Sequence, residues 1–269
     1  MQLAAPADKR VPGAATPHLA VRGLAKAFGP RQILGGIDLD VDRGECVVVL
    51  GANGSGKSTA LRAIVGLQQP DGGEIRIGGT QRDGLRGRAL DAWQREVAMI
   101  FQQIHLVRRR RALDNVCAGA LGRLRLRESF SPLVFPSELR EEAMRCLERV
   151  GLADRAGDRV SELSGGQQQR VAIARALCQR ASVVLADEPV AALDPAAAVQ
   201  VMTLLRDLAH TENLAVCVVL HQPDLARRFA DRIIGLHKGR IVFAAVPDAV
   251  TDSQIAELYA AGATEEPQP

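Results

Sequence analysis

The sequence predicts an α/β fold: a mostly parallel sheet packed between helices, a small antiparallel sheet at its N-terminal side, and an inserted all-helical subdomain. Three observations carry that expectation. Short, mostly apolar runs at residues 46–50, 97–101, 181–186 and 214–220 are rich in β-branched residues, as strands covered on both faces are. Stretches with apolar residues at helical spacing lie between them. From Gln103 to Arg180 the strand signal vanishes and only helical patterns continue.

In chain order, residues 1–17 are rich in Ala and Pro. They lack the basic stretch and apolar centre of a secretory signal, and read as a flexible tail. From residue 19 to 50 the pattern is strand-like with turns at Gly29-Pro30, Gly35-Gly36 and Arg43-Gly44, predicting the small antiparallel sheet. Phe28 stands at the first of these turns. The run 46–50 then leads into Gly51, Ala52, Asn53, Gly54, Ser55, Gly56, Lys57, Ser58 and Thr59, which fit the pattern G-x-x-x-x-G-K-[ST]. Downstream, Leu61, Ile64 and Val65 recur at helical spacing until Gly66 supplies a stop.

A buried strand, a glycine loop with Lys and Ser, and a helix together make this a phosphate-binding loop rather than a glycine-rich turn ahead of an ordinary helix. The core resembles the P-loop NTPase, RecA-like kind. Glycines let backbone N–H groups converge on phosphate oxygens, and the helix directs its positive end at the same anion. Lys57 is expected on the β- and γ-phosphates and the Ser58 hydroxyl on Mg²⁺. An exposed aromatic beside such a loop can stack on adenine, the role expected of Phe28; the alternative is a core Phe at a strand corner.

Residues 69–79 read as turn-rich and are followed by a helical stretch and the strand 97–101. Gln102 stands at that strand's C-terminal end, where ligands of open α/β sheets collect and where a Gln can touch a metal-bound water. It could equally be a surface polar residue. In the insert, residues 112–121 look helical. Ser137 followed by Leu139, Ala143, Met144, Leu147 and Val150 forms an amphipathic helix ended by Gly151. The run Arg108-Arg-Arg-Arg111 at the insert's entrance is either solvated surface or a site for a partner or lipid headgroups. Residues 123–136, with Phe130 and Phe135, follow no pattern.

Leu163-Ser-Gly-Gly-Gln-Gln-Gln-Arg170 opens the next helix, with Ser164 at its N-cap. The N–H groups of Gly165, Gly166 and Gln167 make a second anion site, unless this is only a helix cap. The strand 181–186 ends in Asp187-Glu188. Uncompensated carboxylates there are costly, and Mg²⁺ supplies the compensation. Asp187 would hold the ion through water, and Glu188 would take a proton from the attacking water. Asp194-Pro195 starts a helix with an N-cap Asp and a first-turn Pro. His221 directly follows the strand 214–220, placed either to donate to a γ-phosphate or to serve structure alone. Strands near 232–236 and 241–244 finish the core, and from residue 252 come a short helix and a polar tail.

Composition bounds the rest. At 269 residues and 28.8 kDa the chain holds a sizeable core, and 47% hydrophobic residues is ordinary for a globular protein. A net charge of +3 is too small to argue for nucleic acid. No apolar run approaches the roughly 18 to 20 residues that cross a bilayer, so no membrane span is expected. Cys46, Cys117, Cys146, Cys178 and Cys217 stand singly in apolar surroundings and are expected as buried reduced thiols, which suits the cytoplasm.

Over residues 19–244 these motifs, in this order, resemble the ATP-binding subunits of ABC transporters: the phosphate loop, Gln102, the signature Leu163 to Gln167, Asp187 and Glu188, Ala191-Ala-Leu-Asp194, and His221. The resemblance implies a head-to-tail dimer with ATP held between one copy's phosphate loop and the other copy's Ser164, Gly165, Gly166 and Gln167. It gives Phe28 the adenine and makes the insert with Gln102 the surface that drives a membrane partner. It also implies an ATPase domain over residues 18–250, with core and β subdomain at 18–102 and 169–250 and helical subdomain at about 103–168. Residues 251–269 would be a short helix and flexible tail. One departure stands out: the family often has a Ser at one of the two positions that Ala191 and Ala192 occupy here.

Several stretches are most similar to the ATPases of phosphonate importers: Phe101-Gln-Gln-Ile-His-Leu-Val107, residues 114–122, residues 185–195 and Leu220-His-Gln222. Phosphite-type importers look similar. Implied partners are a second copy, integral membrane permease subunits and, indirectly, a periplasmic or extracellular solute-binding protein, with ATP and Mg²⁺ at the cytoplasmic face of the inner membrane, peripherally. An isolated monomer is expected to bind ATP but hydrolyse it poorly. A different class, a soluble ABC ATPase acting on nucleic acid or ribosomes, commonly carries two cassettes or a long coiled coil. Here there is one cassette and no sustained heptad pattern, so no nucleic-acid partner is expected. A P-loop kinase would leave the signature helix unexplained.

Overall fold

The computed structural model describes residues 16–124 and 135–260. The expectations for the two tails and for the piece around residue 130 lie mostly outside the described residues. Two sheets organise the chain. In the first, β1 (Leu19–Phe28) and β2 (Arg31–Val41) form an antiparallel hairpin over the Gly29-Pro30 turn; β4 (Gly72–Ile77) and β5 (Thr80–Gln81) extend it in the order β2-β1-β4-β5. In the second, β3 (Cys46–Leu50), β6 (Val97–Ile100), β7 (Val183–Asp187), β8 (Ala215–Leu220), β9 (Arg232–His237) and β10 (Arg240–Ala245) run in the order β10-β9-β3-β8-β7-β6. Every pairing there is parallel except β9 with β10.

The apolar runs follow from burial on both faces. Cys46, Val48 and Leu50 of β3 face one core, shared with the long helices, while Val47 and Val49 face the other, shared with the antiparallel sheet. Helix α1 (Lys57–Val65) buries Leu61 and Ile64 in that second core. Helix α2 (Gly87–Arg95) adds the buried Trp93, whose indole N–H donates to the Thr80 carbonyl at 3.1 Å.

Two turn expectations are corrected. Gly35-Gly36 is not a turn but the middle of β2, where the register jumps from Leu24↔Ile37 to Ala25↔Gly35. Gly36 takes φ 84°, the conformation of a bulge, and the Gly35 N–H reaches across to the Gly239 carbonyl at 2.8 Å, tying the two sheets together. The turn-rich reading of residues 69–79 also fails, because it hides β4. Ile75 and Ile77 alternate into the core, but the flanking Gly72, Gly73 and Glu74 dilute the strand signal.

The insert is helical as expected. Helix α3 (Ala112–Cys117) continues into a 3₁₀ turn, and α4 (Ser137–Arg149) and α5 (Gly165–Cys178) pack beside it. Gly119 lets the 3₁₀ turn press on α5, because a Cβ there would run into the Arg175 carbonyl oxygen. Helix α6 (Pro195–Glu212), α7 (Pro223–Phe229) and α8 (Asp252–Ala260) complete the long-helix side. All five cysteines are buried and free. Among the described residues no helix is long and apolar enough to cross a membrane.

Glu142 of α4 fastens the insert to the C-terminal end of α5. Its Oε1 accepts from Arg123 at 2.9 Å and from the Arg180 Nε at 2.6 Å, and its Oε2 accepts from Arg180 Nη2 at 3.0 Å. Burial pushes its pKa up, but hydrogen bonds and charge from Arg180 and Arg123 outweigh that and hold it below the ordinary value of 4.5. A depressed carboxylate stabilises the fold above that ordinary value and stops doing so as pH falls through its lowered value. Glu142→Gln is therefore expected to lower the melting temperature at pH 7, with the difference from wild type shrinking as pH falls from about 5 towards 3. A difference constant with pH in thermal unfolding would refute this.

Candidate active site

The parallel sheet delivers its chemistry at the C-terminal ends of three adjacent strands. β3 ends at Leu50, and Gly51 follows where a Cβ would collide with the Leu236 carbonyl oxygen and the Ser55 hydroxyl. Only glycine lets the loop turn against β9 there. Gly56, at φ 105°, leads into α1 with no side chain capping it, so the first N–H groups of the helix are left for an anion.

Above this loop lies a cavity of about 290 Å³ lined by Arg31, Ile33, residues 53–59 and Glu188. Gly51 and Ala52 form its rear rather than its lining: Lys57 Nζ donates to their carbonyl oxygens at 2.8 and 2.9 Å. Lys57 is only 5% exposed. Burial pulls its pKa down, and the Glu188 and Asp187 carboxylates oppose that. The Ser55 hydroxyl is buried with no hydrogen-bond partner, a free donor in the lining of this cavity.

Asp187, the last residue of β7, is buried and its Oδ1 accepts from the Ser58 hydroxyl at 2.8 Å. Burial raises its pKa; the Ser58 hydrogen bond opposes the rise, the Glu188 charge adds to it, and Arg62 and Lys57 oppose it. A hydroxyl and a carboxylate in contact form the hard oxygen donor pair that suits Mg²⁺. Among the described residues no group of three or more His, Cys, Asp or Glu side chains could hold a metal. A cation on Ser58 and Asp187 would thus complete its shell with phosphate and water oxygens, as Mg²⁺ at a nucleotide does.

Glu188 takes φ 49°, a left-handed backbone that non-glycine residues avoid. Its N–H donates to the Val219 carbonyl at 3.1 Å, and its Oε1 meets His221 Nε2 at 2.5 Å. The strained turn aims the carboxylate at the cavity instead of letting it run on along β7. His221 lies at the end of β8, the strand between β3 and β7, so the sheet order alone brings it to Glu188.

Other expected site residues lie apart. Phe28 ends β1 half exposed, opposite Arg31 in the hairpin, with Lys26 Nζ 5.4 Å from its ring centroid. It borders the cavity's Arg31 wall but does not line the cavity. Gln102 is exposed two residues beyond β6 and does not line it either. Ser164 caps α5: its Oγ accepts from the Gln167 N–H at 3.3 Å, and Gln167 Oε1 accepts from the Ser164 N–H at 2.9 Å. Ser164 and Gly165 are exposed, and none of residues 163–167 lines the cavity. Gly166 packs near the start of α6, which Asp194 caps by accepting from the N–H groups of Ala196 and Ala197 at 3.0 Å. Arg31 and Ile33 went unnoticed in the sequence, where they are an ordinary pair after a turn.

The chain matches the family described as ABC transporter over residues 34–191. A phosphonates import ATP-binding protein from Frankia casuarinae is 48% identical over 89% of this chain and 95% of its own length. A phosphite import ATP-binding protein from Stutzerimonas stutzeri is 48% identical over 84% of this chain and 80% of its own length. Among solved structures, a dimeric ATP-binding cassette in a post-hydrolysis state with ADP and phosphate superposes with a TM-score of 0.73 and 34% identity, covering 85% of this chain and 98% of that one. With the phosphate loop, the strand-end carboxylates and the helical insert all in place, the chain belongs to the ABC transporter family as an ATP-binding, ATP-hydrolysing domain.

Proposed function

We propose that the chain energises the import of phosphonates, with phosphite and phosphate as the neighbouring alternatives that its relatives' names supply. The observation that carries the catalytic part is the Glu188–His221 contact, with Glu188 in the lining of the cavity that the phosphate loop forms. Glu188 accepts the proton of the water that attacks the γ-phosphorus, while His221, whose Nε2 meets the Glu188 carboxylate, orients it. Lys57 and Ser55 bind phosphate oxygens. Ser58 and Asp187 hold Mg²⁺, which when bound neutralises charge on the phosphates. Phe28 stacks on adenine from the hairpin beside Arg31, and Gln102 senses the nucleotide at the insert's edge.

The exposed Ser164 and Gly165, with the half-buried Gly166 and Gln167, lie outside this cavity and offer a γ-phosphate further donors from a second copy. That supports a head-to-tail dimer, docked through the helical subdomain (about 103–168) on permease subunits at the cytoplasmic face. A solute-binding protein would deliver the cargo to the permease.

The cargo is decided by reconstituting this chain with its permease and binding protein in vesicles. ATP hydrolysis is expected to rise when the binding protein is loaded with an alkylphosphonate, and to rise less with phosphite or phosphate. Stimulation by phosphite or phosphate alone would move the assignment to that oxyanion. ATPase activity dependent on RNA or ribosomes would overturn the transport reading.

A further inference from the structure

The last described helix is not a loose appendage. α8 is anchored by the buried Leu258, by Ile255 and Tyr259 packed against the main core, and by the Arg227–Asp252 ion pair at 2.6 Å. Thr251 and Gln254 cap its start reciprocally: the Thr251 N–H donates to Gln254 Oε1 at 2.9 Å and the Gln254 N–H donates to Thr251 Oγ1 at 3.2 Å. This seating places one polar group at the active strand ends. The Tyr259 hydroxyl donates to the carbonyl oxygen of His221 at 3.1 Å.

His221 and Gly51 are the first residues beyond the paired ends Leu220 and Leu50, where β8 and β3 stop running side by side. At that point the ladder can no longer fix the backbone of either residue. Burial raises the Tyr259 pKa, and a hydrogen bond with the backbone of Gly51 opposes the rise. The hydroxyl thus ties the end of α8 to the backbone of the residue that holds Glu188.

We propose that Tyr259 is a positioning residue for hydrolysis, fixing the His221 backbone so that its imidazole keeps Glu188 aimed at the γ-phosphate. This rests on the proposed role of the Glu188–His221 pair. A misplaced base loses rate without losing bound substrate, because the phosphate loop holds the nucleotide independently.

The test uses the full chain with Tyr259→Phe, which keeps the ring packing and removes only the hydroxyl, alongside His221→Ala and the double variant. Steady-state phosphate release is measured, together with binding of a fluorescent ATP analogue and thermal unfolding. For Tyr259→Phe, kcat is expected to fall about threefold to tenfold, with analogue affinity and melting temperature near wild type. The double variant should be no slower than His221→Ala, because Tyr259 acts through His221. Wild-type kcat for Tyr259→Phe beside an impaired His221→Ala overturns the proposal alone. Losses that multiply in the double variant also overturn it, showing that Tyr259 acts by another route. Wild-type turnover by His221→Ala removes the His221 reading on which it stands.

Discussion

Glu188→Gln is expected to stop turnover while leaving ATP bound. The amide is isosteric with the carboxylate, and its Oε1 can still accept from His221 Nε2, so the 2.5 Å contact and the strained turn that aims it have no reason to rearrange. What is lost is the group that accepts the proton of the attacking water. General-base catalysis contributes about 10²- to 10⁴-fold, and kcat should fall by that factor. One negative charge also leaves the cavity, so the triphosphate should bind at least as well as before. With hydrolysis blocked, ATP should accumulate between two copies and hold them together. Phosphate release measures the first effect, and light scattering with and without ATP measures the second. Normal turnover would take Glu188 out of the role of base.

Lys57→Ala is expected to fail earlier, at binding. The ammonium is buried behind the loop, bonded to the Gly51 and Ala52 carbonyl oxygens, and is the cation that the Asp187 and Glu188 carboxylates face. Without it, those carboxylates meet a triphosphate with less compensating charge, and the loop carbonyls lose their donor. A hydrogen bond to a charged group contributes about 1.5 to 3 kcal/mol, so affinity for ATP should drop about tenfold to a hundredfold and turnover with it. Calorimetric titration with ATP distinguishes this pattern from that of Glu188→Gln, in which binding survives. Undiminished affinity in Lys57→Ala would show that the loop backbone alone holds the phosphates.

Much of the fold was legible because its signals are local. The runs in β3 and β8, and in β7 up to Asp187, are apolar because both of their faces are buried, and runs of five or six residues are too short for a helix. The caps at Ser164 and Asp194 are likewise local, requiring only a side chain and an N–H two or three residues on. Where the pattern failed, a competing local signal stood in the way. Gly35-Gly36 and Gly72-Gly73 look like turns, but they belong to strands that need glycine for a bulge or for close approach to a neighbouring backbone. The expected positions of Phe28 and Gln102 near the nucleotide remain proposals, since neither lines the cavity formed by this chain.

The amino-acid sequence alone determined the strands of the parallel sheet, the phosphate loop, the helix caps and the residue types at the strand ends, because each depends on spacing within a few neighbours. The tertiary structure alone decided which strand ends meet. The order β3-β8-β7 sets Ser58 against Asp187 across 129 residues and His221 against Glu188 across 33, and it seats Tyr259 of α8 on the His221 carbonyl. Parallel strands are joined by crossovers rather than tight turns, so adjacency in such a sheet is set by how helices pack on its faces. No local pattern records it.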